Sequence, residues 1–237
     1  MNISEHMSKQ FDADLAGLRS RVVEMGGLVD EQFSLAVEAL ASGKTLVADQ
    51  VIANDAAVNG LEVRIDDACA HVIARRQPAA SDLRMVLGVS KIVSELERIG
   101  DKARKIARLT RNVHEDVARD RRAWLVDIQL LATRARHMLR DALNAFVRSD
   151  LETAVSVLRR NRDFARDTSS ASKQLVLRMS QEPSSVLALL DMLSITRAVD
   201  RVADHAANIA EHIVYIVRGT DVRHATLEQI EKEALRS

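Results

Sequence analysis

The chain has 237 residues, enough for one large domain or two small ones with a real hydrophobic core. Its 34 basic and 34 acidic side chains cancel, which removes the usual electrostatic argument for nucleic-acid binding. A single cysteine excludes a disulfide framework, and no stretch approaches the roughly 18 apolar residues that cross a bilayer. Two prolines, eight glycines and 3% aromatic residues predict an all-α protein, and the charged N-terminus, unlike a secretory signal, indicates a cytoplasmic one.

Six helices are predicted from turn residues and from apolar periodicity. Pro78 and Pro183 each precede a long periodic stretch that opens with capping residues, and further breaks fall at Gly43 and Ser149. A charged stretch separates the third helix from the fourth. Helices of about 30 residues joined by short turns indicate antiparallel three-helix bundles. The predicted segments are 8–41, 46–76, 80–109, 122–148, 151–180 and 184–217.

An internal repeat divides the helices into two halves. Glu97 and Asp101 in the third helix correspond to Asp200 and Asp204 in the sixth, at an offset of about 100 residues. This offset exceeds the units of solenoid proteins, so the sequence predicts a duplicated domain. The predicted domains are two tandem three-helix bundles at 8–110 and 119–218, followed by a charged C-terminal tail at 219–237 with at most a short helix.

The third helix of each half carries two carboxylates four residues apart, Glu97 with Asp101 and Asp200 with Asp204. Residues at this spacing share a helix face, and like charges there repel each other. Two kinds of compensation are open. One is a hard metal cation, which prefers carboxylate oxygens, and the other is pairing with the arginine that follows the first acid of each pair.

The second helix adds oxygen ligands to the first acidic pair. Asp55, Asn59 and Glu62 fall on its apolar side, where an unpaired carboxylate is costly. We therefore expect either a metal or an ion-pair network there, with a solvated helix edge as the alternative. Lys105, one turn after Asp101, is a candidate cation in place of a metal.

The second half differs at the corresponding positions. Asn161 stands where the second helix has Asp55, whereas Asn208 extends the row of Asp200 and Asp204 by one further turn. The second acidic pair is therefore the better candidate for a bound ion. His205 is rotated away from this row and is predicted to lie at its rim.

No catalytic motif is recognisable in the sequence. It lacks Glu-x-x-His, His-Glu-x-x-His, a phosphate-binding glycine loop and Gly-x-Ser-x-Gly. Cys69 lies on an apolar stripe and is predicted to be a core thiol. The sequence therefore predicts that the protein is not an enzyme. A metal-binding bundle with a structural or stress-related role and a metal-dependent hydrolase are the alternatives.

Four segments resemble the PhoU family of phosphate-specific transport accessory proteins. The resemblance extends from about Phe11 to His224, and the doubled acidic helix is its most specific mark. The four segments are MGGLVDEQF, VIANDAAVNGLE, ARRQPAASDLRMVLGVSKIVSELERIGDKARKIA and DRVADHAANIAEHIVYIVRGTDVRH. The resemblance implies two bundles related by pseudo-twofold symmetry. It also implies multinuclear metal binding, with iron, zinc, manganese and magnesium as the candidates, at Glu97, Asp101, Asp200 and Asp204, supported by Asp55 and Asn59.

The same resemblance implies a regulatory role. Members of this family repress the phosphate-starvation response and modulate phosphate uptake. The expected partners are the ATPase subunit of the Pst phosphate transporter and a membrane sensor histidine kinase, between which the protein would act as an adaptor. A homodimer is expected, no nucleic-acid partner is expected, and any association with the membrane would be peripheral, through these partners.

Overall fold

The computed structural model of the chain describes residues 3–115 and 121–236, with side chains for 10–111 and 125–236. Within these ranges the secondary structure is helical, with no strand, which confirms the predicted all-α class. A short 3-10 turn at Pro183–Ser185 precedes the sixth helix. The helices are α1 (Ile3–Ser42), α2 (Thr45–Arg76), α3 (Ala80–Glu115), α4 (Arg121–Arg148), α5 (Leu151–Gln181), α6 (Val186–Arg218) and α7 (Leu227–Ala234).

The turns between the helices form where the sequence predicts them. Gly43 follows α1 with φ 70° and Gly219 follows α6 with φ 84°, left-handed conformations that glycine adopts without strain. Asp150 caps α5, because its carboxylate accepts a hydrogen bond of 3.1 Å from the backbone N–H of Thr153. The largest difference is at α3, which continues to Glu115, into the charged stretch predicted as a break.

The C-terminal residues form a docked helix rather than only a charged tail. Thr226 begins α7 with a capping box in which Gln229 is the reciprocal partner. Ile230 and Ala234 are buried against the rest of the protein, and α7 packs on α5 and α6. The sequence predicts at most a short helix here, because the segment has few apolar positions.

The helices form two bundles that pack side by side. Helices α1, α2 and α3 contact one another, as do α4, α5 and α6, which confirms the predicted pair of three-helix units. The bundles meet where α3 packs on α6 and α1 packs on α4. Gly88 near the start of α3 contacts Ile216 near the end of α6, and Glu95 contacts His205, so these two helices run antiparallel.

Two glycines of the first bundle allow the two bundles to approach each other closely. A Cβ atom at Gly88 would lie 2.4 Å from Cγ1 of Ile216, and one at Gly26 would lie 2.7 Å from Cδ2 of Leu143. Neither distance is compatible with ordinary van der Waals contact. Each glycine therefore provides the space into which a branched side chain of the second bundle packs.

An ion pair also joins the bundles. Asp30 of α1 accepts hydrogen bonds from Arg136 Nε at 2.8 Å and from Arg140 Nη2 at 2.9 Å, both on α4. Burial alone would raise the pKa of Asp30, but the two guanidinium groups hold that pKa below its ordinary value. None of the helices in the described ranges combines the length and apolar character that a membrane-spanning segment needs.

Candidate functional site

The first acidic pair lies beside an arginine bridge. Arg104 donates a hydrogen bond of 2.6 Å from Nη1 to Oδ2 of Asp55 on α2, and its Nη2 donates to Oδ1 of Asp101 on α3. The Asp55 side chain is only 6% exposed, so its partner compensates a buried charge. Arg104 thus links α2 to α3 beside the acidic motif.

The cation found at this motif differs from the predicted one. Lys105 is exposed and forms no ion pair with a described residue, whereas the preceding residue, Arg104, occupies the position between the carboxylates. Asn59, expected beside Asp55, is exposed and forms no hydrogen bond within the described side chains. The predicted apolar side of α2 is therefore buried at Asp55 but already solvated at Asn59.

Negative charge remains in excess around the first acidic pair. Burial raises the pKa of Glu97, and the nearby carboxylates of Asp101, Glu62 and Asp55 raise it further, against the opposing effect of Arg104. Burial also raises the pKa of Glu62, with Asp101 among the contributing charges. Four carboxylates thus lie near one guanidinium group, and only two of them, Asp55 and Asp101, form an ion pair with it.

The second acidic pair is satisfied mainly by neutral partners. The Thr168 hydroxyl donates to Oδ1 of Asp200 at 2.6 Å, and Asn161 Nδ2 donates to Oδ1 of Asp204 at 3.1 Å. Arg201 adds an ion pair to Asp204 at 3.1 Å. Burial raises the pKa of Asp200, and Asp204 adds to that increase. Only two carboxylates meet here, so the structure concentrates more negative charge at the first motif than at this one.

Asn208, predicted to extend the row of Asp200 and Asp204, contacts the other bundle. Its Nδ2 donates a hydrogen bond of 3.0 Å to Oε2 of Glu95, across the contact between the bundles. Asn161, by contrast, does face Asp204, and its own Oδ1 is buried without a hydrogen-bond partner among the described residues.

A buried carboxylate–imidazole pair links the two halves, and the sequence analysis did not find it. Oε2 of Glu95 lies 2.7 Å from Nδ1 of His205, and both residues are buried. Burial alone would raise the pKa of Glu95, but the hydrogen bonds from His205 and Asn208 hold it below its ordinary value. His205, predicted as a rim residue, is thus an interface residue. The available signal was Glu95 itself, which shares the apolar stripe of Ile92 and Ile99.

Two further titratable groups lie near this pair on α6. Burial raises the pKa of Glu211 to about 7 and lowers the pKa of His212 to about 4.

Cys69, in the first bundle, is 4% exposed, and burial raises the pKa of its thiol to about 11. The thiol is therefore a core group, as predicted, and not a reactive one.

The ligand atoms available at the first acidic motif are of the type that a hard metal cation prefers. Carboxylate oxygens predominate, and no thiolate and no histidine lies within the first acidic motif. In the side-chain arrangement described here, which covers 10–111 and 125–236, no three His, Cys, Asp or Glu side chains are placed so that they could together hold one metal ion. At the first motif Arg104 provides the compensating positive charge instead.

Fold and site together define a class: duplicated three-helix bundles with an acidic pair on the third helix of each half. The model of the PhoU domain family matches residues 22–110 and 128–213, one match in each bundle. The chain belongs to this family, as the sequence resemblance predicted.

Relatives and solved structures agree with this assignment. The chain is 41% identical over 232 residues to the phosphate-specific transport system accessory protein PhoU homolog of Pseudomonas putida, covering 98% of this chain and 90% of the relative. The PhoU accessory protein of Escherichia coli K12 is 38% identical, with 98% and 95% covered.

Two crystal structures share the fold. PhoU from Pseudomonas aeruginosa has a TM-score of 0.85 at 39% identity, over 89% of this chain and 100% of that one. The phosphate transport system regulatory protein PhoU from Streptococcus pneumoniae has a TM-score of 0.82 at 29% identity, over 90% of this chain and 99% of the other.

Proposed function

We propose that this protein regulates phosphate transport and represses the phosphate-starvation response. The observation that carries the proposal is its identity of 38–41%, over nearly its whole length, to relatives named as accessory proteins of the phosphate-specific transport system. The role is regulatory rather than catalytic. The protein acts in the cytoplasm as a homodimer.

The proposed mechanism is that of an adaptor. When phosphate is plentiful, the protein binds the ATPase subunit of the Pst transporter and the cytoplasmic part of a sensor histidine kinase. The kinase is thereby held in its phosphatase-active state and uptake is restrained. Two bundles joined along α3 and α6 offer two similar but unequal halves, which suits simultaneous contact with two different partners.

A metal ion is part of the proposal. The residues that would hold a divalent or trivalent cation in the first half are Glu62, Glu97, Asp101 and Asp55. Burial, and then the repulsion among these carboxylates, raises the pKa of Glu97. In the second half they are Asp200 and Asp204. A bound cation would supply charge compensation that stabilises the bundle or provides a contact toward the membrane surface.

The adaptor role is tested in cells and by affinity purification. Deletion of the gene should leave phosphate-scavenging genes expressed in high phosphate, and a plasmid copy should restore repression. Tagged protein should recover the transporter ATPase subunit or a sensor kinase from lysate of its own organism. Normal repression in the deletion strain would contradict the proposed function.

Metal binding is tested with paired variants and elemental analysis. Asp200→Ala with Asp204→Ala, and separately Glu97→Ala with Asp101→Ala, should reduce the metal that co-purifies and lower the melting temperature of metal-loaded protein. The control is Asp163→Ala with Asp167→Ala, which removes two exposed carboxylates of α5 that form only surface ion pairs. Equal metal content in the wild-type protein, the two acidic-pair variants and the control would refute the metal site.

A further inference from the structure

A groove lined by arginines lies in the first bundle. It is bounded by the N-terminal part of α1 and the C-terminal part of α2 and has a volume of about 520 Å³. Four arginines and two aspartates line it, so positive charge is in excess although the whole chain is neutral. We call this feature the α1–α2 groove.

Three of the groove's arginines are available to a ligand. Arg21, Arg64 and Arg75 are exposed, and none of them forms an ion pair or hydrogen bond with a described residue. The fourth, Arg76, is held in place because its Nε donates a hydrogen bond of 3.0 Å to Oδ2 of Asp14 on the facing helix.

The groove also has an apolar floor and an open centre. Leu18 and Val72 line it and are 2% and 7% exposed, so their side chains form the wall toward the core. At Gly17 an added Cβ would meet no atom within 4 Å. The absence of a side chain at Gly17 therefore leaves space in the groove and is not required by helix packing.

We propose that the α1–α2 groove binds a phosphorylated small molecule of nucleotide size. Guanidinium groups bind phosphate oxygens in a bidentate manner. Three of them around a single groove, with no ion pair among the described side chains, match an anion with several phosphate oxygens. The volume lies in the range of small-molecule sites, and the apolar floor suits a ring. This inference is independent of the adaptor role, because it concerns a ligand and not a protein partner.

The experiment is calorimetric titration of the purified full-length chain at low salt, in a chelator that removes divalent cations. The probes are ATP, pyrophosphate and adenosine. ATP should bind, and more tightly than either pyrophosphate or adenosine. Arg21→Gln with Arg64→Gln should weaken ATP binding at least about tenfold.

Two variants make the test specific. Arg108→Gln with Arg197→Gln removes the same charge from two other exposed arginines that lack ion pairs within the described residues, and should leave ATP affinity unchanged. Gly17→Leu places a side chain in the groove at a position where a Cβ meets no atom within 4 Å, and it replaces a helix-weakening residue. It should therefore block binding while the melting temperature stays the same or rises.

The proposal is overturned by any of three results. These are no binding of ATP at about 10 mM, equal affinity for ATP and pyrophosphate, or equal losses in the groove variant and its charge-matched control. The titration needs neither the transporter nor the kinase. Its outcome is therefore distinguishable from success or failure of the proposed regulatory function.

Discussion

Glu95 of α3 and His205 of α6 form a buried hydrogen-bonded pair between the two bundles, with Oε2 2.7 Å from Nδ1. Asn208 donates to the same carboxylate oxygen. One acidic side chain of the first half is thus satisfied by two side chains of the second half. Because a buried carboxylate without partners is costly, this pair favours one relative position of α3 and α6 over others.

His205→Ala should destabilise the protein by about 2–3 kcal/mol, because Glu95 is left buried with only Asn208 as a partner. Chemical denaturation at neutral pH measures the loss. Combining the change with Glu95→Gln should recover part of it, since the buried charge is removed. His137→Ala, at an exposed position of α4, is the control and should change stability by less than about 0.5 kcal/mol.

Arg104→Gln should cost about 3 kcal/mol, whereas Lys105→Gln should cost almost nothing. The first change leaves Asp55 buried without its cation, while Lys105 is exposed and unpaired among the described residues. Melting temperatures of the two variants make the comparison. Added Mn²⁺ should restore part of the stability lost in Arg104→Gln if the carboxylates accept a cation. Similar losses in the two variants would contradict the bridging role of Arg104.

Glu211→Gln should stabilise the protein at pH 8 and much less at pH 5. In the folded protein burial, Asp221 and Glu95 raise the pKa of Glu211 from 4.5 to about 7, with Arg223 opposing them. The folded state therefore holds a proton that the unfolded chain has released, so this group's contribution to stability falls as the pH rises from about 4.5 to 7. Denaturation at both pH values should show a difference on the order of 2 kcal/mol, and a gain independent of pH would contradict the assignment.

Gly88→Ala should destabilise the protein by about 1–3 kcal/mol, because the new methyl group would overlap Ile216. Helix propensity alone predicts the opposite sign, a gain of about 1 kcal/mol. Gly27→Ala supplies the control, since a Cβ there meets no atom within 4 Å. The added change Ile216→Ala should reduce the cost of the methyl group at Gly88. A gain from Gly88→Ala alone would contradict the steric role assigned to this glycine.

Much of the fold was predictable because its determinants are local. Pro78, Pro183 and Gly43 mark helix boundaries through backbone geometry, and apolar periodicity marks the buried face of each helix. The repeat then indicated two corresponding bundles. None of these local signals specifies how one bundle packs on the other, because that packing depends on the shapes of side chains that are far apart in sequence.

The errors at the candidate site follow from that limit. His205 lies away from the acidic face of α6, and a bundle considered alone would leave that position at the rim. It is buried because α3 of the other bundle covers it. Arg104 and Lys105 are neighbours in sequence, and only the rotation of α3 against α2 decides which of them reaches Asp55. By contrast, Asp55 itself was correctly placed, because its burial follows from the periodicity of α2 alone.

The contacts between the bundles are unequal in a way that bears on how the two halves can change over time. Gly26 and Gly88 both belong to the first half, while Leu143 and Ile216, which fill the spaces above them, belong to the second. A side chain at either glycine would have to displace Leu143 or Ile216, whose atoms would lie within 3 Å of the added Cβ. The space available at these two positions of the first half is therefore set by side chains of the second half, so a larger residue in one half is best tolerated together with a smaller one in the other.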